Sequence, residues 1–209
     1  MNQSTNGAQA GYGGHSMVAR LRRVLMRRPD AAFGEADPQR WHYTSQPNLE
    51  EAQREHDALA AIVRNSGAEV IYQDVAQPDR ADAIFVFDPM LITNAGAVLL
   101  RMGKPLRRGE EAAMGETMKQ LGIPILGQLE GDALAEGGDM FWLDERTLAV
   151  GLGFRTNAEG VRQLGAILSD LGVSIVPVEL PYFTGPDACL HLLSLISMVD
   201  HDLAVVYPP

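Results

Sequence analysis

The sequence predicts an α/β architecture built from repeated units, and three observations carry that prediction. Amphipathic helix, glycine and strand follow one another in the same order three times. The glycines that end those helices fall at positions 67, 122 and 172, a period of about 50 residues of the kind that marks a pseudo-repeat fold. Short apolar blocks broken by turn residues fill the intervals and read as hairpins. With 209 residues and 46% hydrophobic content, the chain is long enough for one domain with a sizeable core. No linker composition separates the repeats, so residues 17–209 are expected to form a single domain.

The elements follow in chain order. Residues 1–16 are rich in Gly, Asn, Ser and Gln with almost nothing to bury, which predicts a disordered tail with Met17 as the natural start of the folded part. Arg20, Arg22, Arg23, Arg27 and Arg28 surround Leu21, Val24, Leu25 and Met26, the flanks of a first strand. Leu49, Ala52, His56, Leu59 and Val63 recur at helical steps, and Asn48 with Glu51 makes a capping box. Ser66-Gly67 stops this helix, and residues 68–72 continue as a strand. Glycine after a last helical turn is the ordinary left-handed stop.

Ala83-Ile84-Phe85-Val86-Phe87 is a continuous apolar run, the pattern of a strand covered on both faces. Residues 91–100 read as a hairpin turning at Asn94-Ala95-Gly96. A second helix covers residues 110–120 and ends at Leu121-Gly122, before a strand at 123–126. Residues 140–150 form another hairpin around Asp144-Glu145-Arg146. A third helix starts at Thr156, with Glu159 in its cap and Val161, Leu164, Leu168 and Leu171 on one face. It ends at Leu171-Gly172, before a strand at 173–176. Residues 188–193 and 202–206 read as two further strands.

Bulk properties exclude some partners. A formal charge of -10 argues against a phosphate-binding surface, and Lys and Arg are scattered apart from the arginines that flank the first strand. No apolar run approaches the ~20 residues of a membrane span, and no apolar leader suggests secretion. Neither nucleic acid nor membrane is therefore an expected partner, and a homodimer stays open. The single cysteine, Cys189, cannot form an internal disulfide and fits a reducing cytoplasm.

Three polar residues follow the helix stops of successive repeats: Asp88 after Gly67, Glu136 after Gly122 and His191 after Gly172. Repeats arranged around an axis would bring these positions into one pocket. Asp88 stands between an apolar run and Pro89, which cannot donate to a continuing sheet; bracing a turn is its alternative role. Asp82, at the other end of the same run, is the weaker candidate. Glu136 has Gly137 and Gly138 beside it, so the backbone can approach a ligand closely; a tight turn with solvated acids is the other reading. His191 lies in an apolar stretch, where a satisfied core histidine is the common outcome. Arg107 and Arg155 precede helices whose first-turn dipole disfavours cations, which favours a ligand role over surface charge. Cys189, two residues before His191, would share its side of a strand, as a nucleophile or as a small buried thiol.

The blocks Ala135-Glu136-Gly137-Gly138-Asp139-Met140, Arg155-Thr156-Asn157-Ala158-Glu159-Gly160 and Leu106-Arg107-Arg108-Gly109-Glu110, with Asp88 and His191-Leu192, resemble the guanidino-group-modifying enzymes. These are arginine deiminases, dimethylarginine dimethylaminohydrolases and amidinotransferases, and the likeness covers most of residues 18–200. The dimethylarginine dimethylaminohydrolase branch matches best. The resemblance implies a pentein-type α/β-propeller of five pseudo-symmetric units, about four of which fit this length. It implies that Asp88 and Glu136 clasp a planar guanidinium, which paired carboxylates bind bidentately. His191 becomes the general acid/base and Asp139 a brace. Arg107 and Arg155 would hold the substrate's α-carboxylate, with Asp82 and Phe85 as further substrate contacts. No metal or organic cofactor is implied.

The family nucleophile is a cysteine near the C-terminus, and no cysteine follows His191 here. The expectation is thus a chain lacking its last unit and its nucleophile, hence either part of a hydrolase or a catalytically silent guanidino binder. Phe87 replaces the usual charged residue before the aspartate. Leu193 stands where deiminases and amidinotransferases commonly carry aspartate, which tilts the resemblance away from them.

Overall fold

A computed structural model describes residues 11–182, 185 and 190–207. In chain order the strands and helices are β1 (Arg23–Met26), α1 (Ala31–Gly34), α2 (Pro38–Trp41), α3 (Leu49–Asn65), β2 (Glu69–Tyr72), β3 (Met90–Ile92), β4 (Ala97–Leu99), α4 (Glu110–Gln120) and β5 (Ile125–Gln128). They continue with β6 (Met140–Asp144), β7 (Thr147–Leu152), α5 (Ala158–Leu168), β8 (Ser174–Glu179), α6 (Leu192–Leu195), β9 (Ile196–Asp200) and β10 (Leu203–Val206).

The strands form four small sheets, ordered β1-β2, β3-β4-β5, β6-β7-β8 and β10-β9. Each three-stranded sheet joins an antiparallel hairpin to one parallel strand. That strand arrives after a helix, because a parallel pair needs a crossover where a hairpin needs only a turn. The β1–α3–β2, β4–α4–β5 and β7–α5–β8 segments are thus three copies of one unit, and β1·β2 is parallel as well. This is the physical form of the repeat in the sequence.

Local chemistry accounts for the boundaries. Asn48 caps α3 by accepting from the Glu51 N–H at 3.1 Å, and Asn157 caps α5 through the Gly160 N–H at 2.8 Å. The third helix therefore begins at Ala158, two residues beyond its expected start at Thr156. Gly122 and Gly172 end their helices in the left-handed conformation, with φ of 69° and 67°. The main core lies between the two three-stranded sheets and α5, where Leu100, Leu148, Val150, Leu164 and Leu168 are all fully buried. Each such side chain contributes about 1.5–3 kcal/mol on burial.

Two expected strands are not formed. Residues 83–87 instead follow a 3₁₀ turn at Ala81–Ile84, and Phe85 and Phe87 are each half exposed. The reason is polar: Asp82 is buried at the start of the run and its carbonyl turns the chain by accepting from Phe85 N–H at 3.0 Å. The chain at His191 likewise enters the short helix α6, for which His191 is the N-cap residue. Cys189 lies outside the described residues.

The segment expected to be a tail is placed from Gly11 on. Tyr12 packs on the cluster around Met114 and Met118, and His15 stacks on Trp142 with ring centroids 4.1 Å apart. Residues 1–10 lie outside the described residues.

Candidate active site

Each polar residue of interest precedes the first strand of a hairpin. Asp88 stands two residues before β3, Glu136 and Asp139 stand on the 3₁₀ turn before β6, and His191 precedes α6 and β9. Equivalent positions in successive units therefore meet at one end of the sheets. One acceptor or donor atom each of Asp88, Glu136 and His191 lies within 4.8 Å of the others. The backbones meet as well: the Gly137 N–H donates to the Asp88 carbonyl at 2.9 Å and the Gly138 N–H to Asp88 Oδ1 at 3.0 Å.

Gly137 and Gly138 are required by that approach. A Cβ on Gly137 would lie 2.2 Å from the Phe87 carbonyl oxygen, and one on Gly138 would lie 2.8 Å from His191 Cγ. Any side chain at either position pushes Asp88 and His191 away from Glu136.

Glu136 is fully buried, and its Oε1 accepts the backbone N–H groups of Gly103 at 2.8 Å and Lys104 at 3.2 Å. Its Oε2 faces two cationic groups, Arg155 Nη1 at 3.2 Å and His191 Nε2 at 3.5 Å. Asp139, also buried, takes His191 Nδ1 at 3.0 Å and the Leu192 N–H at 3.2 Å on Oδ1, and the Thr156 hydroxyl at 2.6 Å on Oδ2. Burial alone would lower the His191 pKa. The hydrogen bond and charge of Asp139, with the charges of Asp88 and Glu136, outweigh it and raise the imidazole above its ordinary value.

Two expected contacts have other tasks. Arg107 is 3% exposed and its guanidinium grips Glu110 through Nη2 at 2.7 Å and Nε at 3.0 Å, and Asp88 through Nη1 at 2.7 Å. Burial opposes its charge, but Glu110 and Asp88 more than compensate and hold it protonated. It orients Asp88. Asp82 is buried under the Tyr43 hydroxyl and Lys104 Nζ, each at 2.6 Å, outside the cluster of Asp88, Glu136 and His191. Phe85 lies under the Arg107 guanidinium at 5.7 Å and lines an apolar depression of about 380 Å³ beside α3 that reaches Asp88.

Sequence reasoning did not single out Thr156, Glu110 or Lys104 for the site. Thr156 ties Glu136 to Asp139, accepting the Glu136 N–H at 3.2 Å while donating to Asp139. The Arg107/Glu110 spacing of three residues at a helix start was a usable signal. Nothing local announced Thr156 or Lys104, whose partners lie 17 to 63 residues away.

The assembly presents two oriented carboxylates and an imidazole of raised pKa around one point, with donors already in place on the carboxylates' far sides. It can hold a cation, and the planar N–H fork of a guanidinium suits paired carboxylates.

Comparison with known proteins shows what the chain is similar to. The profile of a family described as arginine deiminase matches residues 73–209. The N(G),N(G)-dimethylarginine dimethylaminohydrolase of Pseudomonas aeruginosa is 28% identical over 162 residues, covering 77% of this chain and 60% of that protein. The Streptomyces coelicolor enzyme of the same name is 31% identical over 153 residues, covering 73% and 56%. The chain thus spans less than two thirds of either relative. The fold is shared with a dimethylarginine dimethylaminohydrolase of Pseudomonas aeruginosa solved with citrulline, at TM-score 0.74 and 25% identity over 90% of this chain and 70% of that one. AgrE, solved as a mutant with L-arginine, superimposes at TM-score 0.73 and 21% identity over 91% and 27%. With the profile running through Asp88, Glu136, Asp139 and His191, the chain belongs to the arginine deiminase family of guanidino-group-modifying enzymes.

Proposed function

We propose that this chain carries most of the site of an amidine hydrolase acting on a substituted arginine, in the manner of dimethylarginine dimethylaminohydrolase, giving citrulline and an amine. The observation that carries the reading is the convergence of Asp88, Glu136 and His191 within 4.8 Å. In this proposal Asp88 and Glu136 hold the guanidinium in plane. A thiolate adds to its central carbon, and His191 gives its proton to the departing amine as the C–N bond breaks. Neutral His191 then takes a proton from water, which adds to the carbon. The C–S bond breaks as the hydroxyl proton passes to solvent, releasing the ureido product and the thiolate. The raised pKa of His191 supports its starting as the acid.

The thiolate is assigned to a cysteine outside this stretch, in keeping with a chain that spans less than two thirds of the relatives it matches. The four sheets are read as about four of the five units of a pentein-type propeller. No helix among the described residues is long and apolar enough to cross a membrane.

Calorimetric titration with L-arginine and its Nω-methylated forms tests the cation clamp. Binding should be lost in Glu136→Gln and Asp88→Asn, and unchanged binding in both would refute it. A form that supplies the thiol should yield citrulline, and His191→Ala should abolish that yield. A product screen separates dimethylarginine hydrolysis from arginine deimination, and rate enhancement by an acceptor amine would mark an amidinotransferase. A guanidino binder without turnover would instead show binding with no product.

A further inference from the structure

We infer that Lys104 is a charge filter: its ammonium fills the seat that a ligand's second cation would take, so the site admits guanidines with no other positive charge. The inference rests on the guanidino reading. It narrows the substituted arginine to one whose α-nitrogen is uncharged, either absent or acylated.

Lys104 bridges two buried carboxylates. Its backbone N–H donates to Glu136 Oε1 at 3.2 Å, and its Nζ reaches Asp82 Oδ2 at 2.6 Å. The backbone nitrogen of a lysine is as many bonds from its Nζ as the α-nitrogen of an arginine is from its guanidinium carbon. Asp82 thus lies within the reach of the α-ammonium of a free arginine whose guanidinium rests on Glu136.

That carboxylate is already covered. Lys104 Nζ takes one oxygen and the Tyr43 hydroxyl the other, each at 2.6 Å. Burial, with the hydrogen bond and charge of Asp82, raises the Tyr43 pKa, so the phenol keeps the proton that it donates. The ammonium is held in turn by the Trp41 carbonyl at 3.4 Å and by the Trp41 ring, whose centroid is 5.1 Å away. A tethered ammonium competes with a free one at high effective concentration. Placing both on one buried carboxylate leaves a cation without its partner.

Among the described residues, the other acids of the site offer no substitute. Glu110 is paired with Arg107 and Asp139 with His191, while Asp88 and Glu136 form the proposed guanidinium clamp. A free α-ammonium would leave water beside Lys104 with no open side-chain carboxylate to meet it. An amide or a methylene at the same place meets no such penalty.

Calorimetric titration of residues 1–209 with L-arginine and with δ-guanidinovalerate tests the filter, because the two differ only in the α-ammonium. The valerate should bind about tenfold more tightly. Lys104→Met uncovers Asp82 and should shift the preference about tenfold toward L-arginine, a shift that Lys104→Met/Asp82→Asn should cancel. A merely structural Lys104 would weaken both ligands by the same factor and leave their ratio unmoved, which refutes the filter. Should Lys104→Met not fold, Nα-acetyl-L-arginine serves with the unaltered protein and should also outbind L-arginine. L-arginine binding as tightly as either uncharged analogue, with Glu136→Gln still abolishing it, overturns the filter and leaves the clamp standing. No binding of any of these guanidines, or binding that survives Glu136→Gln, overturns the clamp and the filter together.

Discussion

Replacing Thr156 by valine removes one oxygen and adds one methyl group, yet it should unsettle two functional carboxylates together. The hydroxyl is buried, donates to Asp139 Oδ2 at 2.6 Å and accepts the Glu136 N–H at 3.2 Å. Losing a hydrogen bond to a charged group costs about 1.5–3 kcal/mol, and leaving a buried N–H without a partner costs about 1–3 kcal/mol. Because one atom serves both, the terms overlap, and a net loss of about 3–4 kcal/mol is expected. That is a large part of the ~5–15 kcal/mol that holds a typical domain folded. At about 2–4 °C per kcal/mol for a chain of this size, it corresponds to a fall in Tm on the order of 10 °C. Thr156→Ser keeps both bonds and loses one methyl, about 1 kcal/mol. Urea denaturation of the three proteins, with midpoints compared at constant slope, is the assay. A valine variant within about 0.5 kcal/mol of the parent, or a serine variant as unstable as the valine one, refutes the reasoning.

Three further outcomes are expected. Asp139→Asn should bring the His191 titration, followed by NMR, down from its raised position; an unmoved midpoint would show that Asp139 is not the cause. Since the folded pKa is raised, this stabilisation is complete below about pH 6.5 and fades as pH rises through the folded value, so parent and variant should converge in stability on the alkaline side. Arg107→Leu leaves Asp88 and Glu110 buried without their cation and should cost about 3–5 kcal/mol in urea denaturation, part of which Arg107→Leu/Glu110→Leu restores. Equal losses in single and double variants would mean that the pairing is not the source. Gly138→Ala should fold but lose guanidine affinity by roughly tenfold or more, because its Cβ would lie 2.8 Å from His191 Cγ and 3.2 Å from Asp88 Oδ1. Parental affinity would show that the site relaxes around the methyl.

The sequence by itself determined the α/β class, the three helix–strand crossovers, both internal hairpins and the meeting of Asp88, Glu136 and His191. Those features rest on short-range physics: helical periodicity, Asn48 as a cap, and Gly122 and Gly172 in a conformation that suits glycine. The pseudo-repeat then brought equivalent positions together. Only the tertiary structure decided what residues 83–87 do, because an apolar run becomes a strand only where another strand meets it, and Asp82 turns this one away. It also decided the two arginines. Both precede helices in the sequence, but Glu110 lies three residues from Arg107 and, with Asp88, locks it in place, while Arg155 meets a carboxylate 19 residues away and stays partly exposed. Thr156 became legible only in three dimensions, since a hydroxyl's role depends on which buried acceptor and donor the fold places on either side of it.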